Sequence, residues 1–285
     1  MILPLAMMLM QTAAYPPETE AVMNRSRQEA QAQQKAAASA RGLSLHMPAD
    51  VALKLQTCVD EAIDDPNTGL QFAQDWAKDG GGFSAAQCTG FAHSRAERWD
   101  AAETAFEGAA RMAETAGSEA DAGRLWAQAG NAALAGGRAQ QALGLFGRAL
   151  SAGVPDGLAK GEILLDRARA HVALGDSPAA RSDLDTALGM AADDPLAWLL
   201  SATLARRDGD LTRAAHDIDE AAKRSPDDPH ILLEQGNIAV AAGNAAAGEA
   251  AWRKLLSVAP DSEPAASARQ ALTQFGAAAT TTPKP

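Results

Sequence analysis

The sequence predicts an all-α protein built as a stack of helix pairs, with an irregular pair at one end and a single closing helix at the other. Three observations predict it. Ala makes up about a quarter of the residues while aromatics reach only 4%, a composition that favours helix and starves a sheet core. Apolar residues recur with the helical period rather than in alternation, which argues against a β-sandwich, a β-barrel or an alternating α/β sheet. Gly175-Asp176, Gly209-Asp210 and Gly243-Asn244 stand 34 residues apart, each closing one apolar-periodic stretch and opening another.

The elements follow in order. Met1 to Ala14 is an apolar run closed by small residues, too short to span a bilayer as a helix and suited to a signal peptide cleaved near Ala14. No Lys or Arg precedes the run; an apolar cytosolic terminus and an uncleaved anchor are the alternatives to export. Periplasmic localisation is the expectation, with no integral membrane span after cleavage. Residues 15–48, with Pro16-Pro17 and the Gln/Ala-rich stretch from Gln28, hold almost no large apolar side chain and read as a low-complexity tether.

Residues 49–82 form the irregular N-terminal helix pair, 49–64 and 66–79. Asp65 is placed to cap the second helix, with Pro66 at its first position, and Leu70, Ala73, Trp76 and Ala77 give it an apolar face. Gly80-Gly81-Gly82 ends the pair. A triple Gly can cradle an anion, but no Lys, Ser or Thr stands at phosphate-loop spacing, so it reads as a linker.

The repeating body cuts into five units, 83–116, 123–156, 161–194, 195–228 and 229–262. Small residues Ala142, Ala180, Ala214 and Gly248 recur on the second helices. Phe146, Leu184, Ile218 and Trp252 follow four positions later, and Ala149, Ala187, Ala221 and Leu255 three beyond those. The small position lets two backbones approach and the large one fills the gap beside it. Residues 263–275 carry Ala268, Ala271, Leu272 and Phe275 on one stripe and read as the capping helix a stack of this kind needs. The tail 276–285 reads as disordered.

These units resemble tetratricopeptide repeats. The resemblance rests on Trp126, Gly130, Ala142, Phe146 and Ala149; on Trp198, Ala202, Ala214, Ile218, Ala221 and Pro226; and on Gly236, Gly248, Trp252 and Pro260. It covers most of 83–262, and the whole chain is similar to exported bacterial members of unassigned role. The usual aromatic of the first helix is replaced by His93, Ala133, His171, Ala205 and Ala239. The resemblance implies a right-handed α-α solenoid whose concave face binds peptides or partner helices.

Charge and motifs narrow the function. The 25 Lys and Arg against 36 Asp and Glu give a net −11, with no basic block to track a phosphate backbone, which argues against a nucleic-acid partner. The five histidines make no metal-binding pair, and no nucleophile elbow, dinucleotide fingerprint or phosphate loop occurs, so no catalytic, metal or cofactor site is expected. Cys58 and Cys88 lie on the first helix of the N-terminal pair and of the next unit. Such helices are neighbours in a solenoid, and a disulfide between them is the expectation.

At about 100° per residue, positions two, five, nine, twelve and thirteen of each first helix share one side, which the resemblance makes the concave groove. That set contains Arg95, Arg124, Arg169, Arg206 and Arg207 with a single acid, Glu162. It also contains Leu134, Leu165, Val172, Leu196, Leu199, Leu233 and Val240, with Asn131 and Asn237 at equivalent places. The Asn positions match the family's clamp for a C-terminal carboxylate, but Ala127 and Leu233 stand where its lysine belongs. The expected partner is a peptide or helical segment of another protein with acidic and Leu-type residues. The competing reading is a non-catalytic accessory subunit of a cell-envelope polysaccharide or peptidoglycan system. Phe91, the only groove aromatic, argues against it.

Overall fold

The structure, a computed structural model, describes residues 47–281, with side chains to residue 274. The expected signal peptide and most of the expected tether lie outside the described residues, as do the Phe275 side chain and residues 282–285. Thirteen helices and no strand occur among the described residues. The chain divides into two units, Met1–Thr57 and Cys58–Pro285. In the first, the described part is the opening of helix α1 (Ala49–Asp64), where Thr57 Oγ1 donates to the Leu53 carbonyl at 3.0 Å.

The second unit holds the rest of α1 and α2 (Pro66–Lys78), then five helix pairs and a closing helix. The pairs are α3 (Gly82–Arg95) with α4 (Trp99–Thr115), α5 (Glu119–Ala135) with α6 (Ala139–Ser151), α7 (Leu158–Ala173) with α8 (Ser177–Met190), α9 (Pro195–Arg207) with α10 (Leu211–Arg224), and α11 (Pro229–Ala241) with α12 (Ala245–Val258). Helix α13 (Glu263–Thr281) closes the stack and continues past residue 275, so part of the expected tail is helical. Helices α5 and α7 begin ahead of the expected unit boundaries at 123 and 161, filling the inserted residues with extra helix.

The recurring turn explains itself atom by atom. Gly175, Gly209 and Gly243 take φ of 77°, 84° and 81°, a left-handed conformation that ends one helix. The residue after each of them starts the next helix: Asp176, Asp210 and Asn244 accept from the backbone N–H of Ala179, Arg213 and Ala247 at 3.0–3.1 Å. Between units Asp194 and Asp228 cap α9 and α11 ahead of Pro195 and Pro229. Asp65 does the same for α2.

Within each pair the small-and-large rule holds the helices together. Gly236 lies so close to the Trp252 indole that a side chain would overlap it. Phe106, Trp126 and Phe146 are buried with a bed of alanines, and Leu164, Leu184 and Leu204, then Ile218, Ile231 and Ile238, continue the core. Each such large side chain contributes about 2–3 kcal/mol on burial. Helices α5, α7, α9 and α11 also neighbour one another in succession, so the first helices form a continuous wall. At the N-terminal end of the wall, Cys58 of α1 and Cys88 of α3 are fully buried and joined as a disulfide, with Cα atoms 6.0 Å apart.

Candidate functional site

The wall of first helices is the candidate surface, and its charges are arranged differently from the expectation of an almost purely basic strip. Arg206 is not a free groove cation. It grips Glu234 of the next unit with Nε and Nη2 at 2.6 and 3.2 Å, and that carboxylate is nearly buried. Arg169 pairs with Asp166 at 3.1 Å, and Arg124 pairs with Asp121. The two groove asparagines are occupied by the same acids: Asn131 donates to Asp166 at 2.7 Å and Asn237 to Glu234 at 3.0 Å. Each amide therefore already donates to a carboxylate of its own chain.

The physical reason lies in position six of the first helix. It sits at the rim of the expected face, outside the set of positions read as groove, and its acids Asp166 and Glu234 reach groove side chains of their own and the preceding unit. Arg95 and Arg207 remain exposed and have no acidic partner among the described residues. Leu199 and Leu233 are half-buried against the Ile218 and Trp252 clusters. Leu165 is only 2% exposed and belongs to the core rather than the groove. Phe91 is half-buried against the first core cluster, so it offers no sugar-stacking platform.

The wall opens between two of its helices. Between α7 and α9 a pocket of about 140 Å³ is lined by Ala168, Val172, Leu184, Leu200, Thr203 and Leu204, with Arg169 and Arg207 at its mouth. That volume is well below the roughly 300–1,000 Å³ of small-molecule sites and suits a single aliphatic side chain.

Behind the wall runs a polar layer that the sequence reading missed. Asp183 of α8 takes a two-pronged bond from Arg167 of α7 at 2.6 and 2.7 Å. In the next unit Ser201 replaces Arg167 and donates to Asp217, while Arg181 reaches over from α8 to Ser201 at 2.7 Å and Arg213 binds Asp217 at 3.2 Å. In the second unit Arg138 and Gln141 hold the buried Glu103. Asp183 and Asp217 stand 34 residues apart, a signal present in the sequence.

The polar groups of this layer pair mainly with one another. Ser201, Asp217 and His216 have the composition of a catalytic triad, but the carboxylate sits between the other two, and Ser201 is fully buried. Its hydroxyl donates to Asp217 rather than to the imidazole, unlike the order of a Ser-His-Asp triad. His93 fills the place of an absent aromatic; burial, then the nearby Arg98, pushes its imidazole below the usual range, and Nδ1 has no hydrogen-bond partner. His171 lies 3.8 Å from both Asp176 and Asp183. Burial and the carboxylates of Asp194 and Asp166 raise the Glu162 carboxyl above its ordinary value. No group of three or more metal-ligating side chains occurs among the described residues, and no described helix is long and apolar enough to cross a membrane.

Comparison with known proteins agrees with this architecture. Residues 165–229 match the tetratricopeptide repeat family model. No curated protein matches the chain. Among solved structures, PilW, a type IV pilus biogenesis factor, is 20% identical with a TM-score of 0.61, over 76% of this chain and 97% of its own. Pseudomonas aeruginosa pilF is 14% identical with a TM-score of 0.54, over 77% and 98%. A tetratricopeptide repeat protein of Parabacteroides merdae is 18% identical with a TM-score of 0.53, over 70% and 76%. At these identities the likeness is one of fold. Residues 165–229 are thus tetratricopeptide repeats, and helix pairs of the same kind on either side extend them into an α-solenoid fold.

Proposed function

We propose that this protein is a non-catalytic adaptor, working in the periplasm, that holds a peptide or helical segment of another protein against its wall of first helices. The observation that carries the reading is the apolar opening between α7 and α9 with two guanidinium groups at its mouth. Such a surface suits a segment that brings Leu-type anchors and acidic residues. The Cys58–Cys88 disulfide supports work outside the reducing cytosol.

The test is photo-crosslinking in the native cell from Val172 on the wall and from Asp219, an exposed residue of α10 on a second helix. The expected result is a discrete protein adduct from Val172 only, in the periplasmic fraction. Adducts from Asp219 alone would move the interface to the second helices, and adducts confined to cytosol would overturn the compartment.

A further inference from the structure

Position six of the first helix decides where the wall can accept a partner. At the junction of α5 and α7 it is Asp166, which draws in Asn131 and Arg169. At the junction of α9 and α11 it is Glu234, which draws in Arg206 and Asn237. At both of these junctions the acid at position six is paired with polar groups of its own and the preceding unit. At the middle junction, between α7 and α9, the same position is Leu200. With Leu at this position the space between the helices is apolar and open. Arg207, which also lines it, has no acidic partner among the described residues.

The geometry points to a one-residue anchor site here: we propose that the pocket between α7 and α9 takes a single leucine-type side chain of a partner protein. A carboxylate next to that side chain in the partner pairs with Arg207. This rests on the groove reading above and narrows it from the whole wall to one junction. Charge complementarity selects the occupant. The volume admits one aliphatic group, and the unpaired cation at the mouth requires an anion within a residue or two of it. Arg169 stands on the opposite lip but is held by Asp166, so Arg207 is the specificity-determining group.

The experiment is an NMR titration of the full chain, methyl-labelled at Leu and Val, with a synthetic peptide blocked at both ends. The peptide carries one Leu flanked by Glu, and control peptides replace Leu by Ala or Glu by Gln. Shifts should concentrate on Val172, Leu200 and Leu204, and each control should bind about tenfold more weakly. Arg207→Gln should weaken the Glu peptide about tenfold and leave the Gln peptide unchanged, with the fold intact because Arg207 is exposed. Thr203→Trp, which fills the pocket, should abolish the pocket shifts. Shifts centred on Leu134 or Val240 would overturn the anchor site and leave the groove reading standing, since those residues belong to other junctions of the same wall. Shifts confined to the second helices, such as Leu188, would overturn both. Equal loss of both peptides in Arg207→Gln, or no shift at millimolar peptide, would overturn the anchor site alone; the crosslinking experiment decides the groove independently.

Discussion

Glu97 occupies the place that Gly137, Gly175, Gly209 and Gly243 hold in the later units, and it takes the same left-handed backbone with φ 54°. A side chain there is strained by about 1 kcal/mol relative to Gly. Glu97→Gly should therefore raise stability by about that amount, read as a higher denaturant midpoint with an unchanged slope. His93 supplies a second residue-scale prediction. Its folded-state pKa lies below the unfolded value of 6.5, so the unfolded chain binds the proton more readily. The stability this histidine contributes is present above pH 6.5 and is lost as pH falls toward its folded value. His93→Phe, restoring an aromatic at that position, should flatten the fall of melting temperature between about pH 7 and pH 5. An unchanged slope would place the acid sensitivity elsewhere.

At the scale of elements, buried polar contacts tie the first helices α7 and α9 to second helices, Arg167 to Asp183 of α8 and Ser201 to Asp217 of α10. Asp183→Ala would leave the Arg167 guanidinium without its two-pronged partner and should cost about 2 kcal/mol. Arg167→Met with Asp183→Ala should recover much of that loss, and a double-mutant cycle by chemical denaturation measures the coupling. The same pairs show what could be read in advance. Helix pairs, turns and caps were legible because each depends on residues within a turn of one another or on a fixed 34-residue spacing. The charge of the wall was not. Arg206 and Glu234 are 28 residues apart and on different units, and whether they meet depends on side-chain reach across a helix junction. A helical-wheel projection of single helices puts Arg206 in the groove and leaves Glu234 out. Only the packing of α9 on α11 shows that they cancel. Asp183 and Asp217 kept the repeat spacing, but their partners, Arg167 in one unit and Ser201 with Arg181 in the next, did not repeat. The candidate pocket was half legible: Arg169, Val172, Thr203 and Arg207 fall on the expected face, while Leu200 at position six does not.

On the scale of the whole molecule, a stack of this kind gains stability from each unit and its neighbours, so its free ends are its weakest points. The disulfide reinforces one of them. In the chain-entropy model, closing a loop with a sequence separation of 30 contributes on the order of 3–4 kcal/mol. Replacing Cys58 and Cys88 by Ala should lower the unfolding free energy by about that amount and increase hydrogen exchange in α1–α3 before α9–α12. Uniform loss of protection along the chain would mean that the solenoid unfolds as one block. The position of the bond has another outcome. The exposed turn at Gly80, between α2 and α3, lies inside the covalent ring that Cys58 and Cys88 close. A protease that nicks the chain there cuts the backbone without separating the pieces. The product should migrate as one full-length band on a non-reducing gel and split in two when a thiol is added. Cleavage in that turn would thus be invisible to any assay that leaves the disulfide intact.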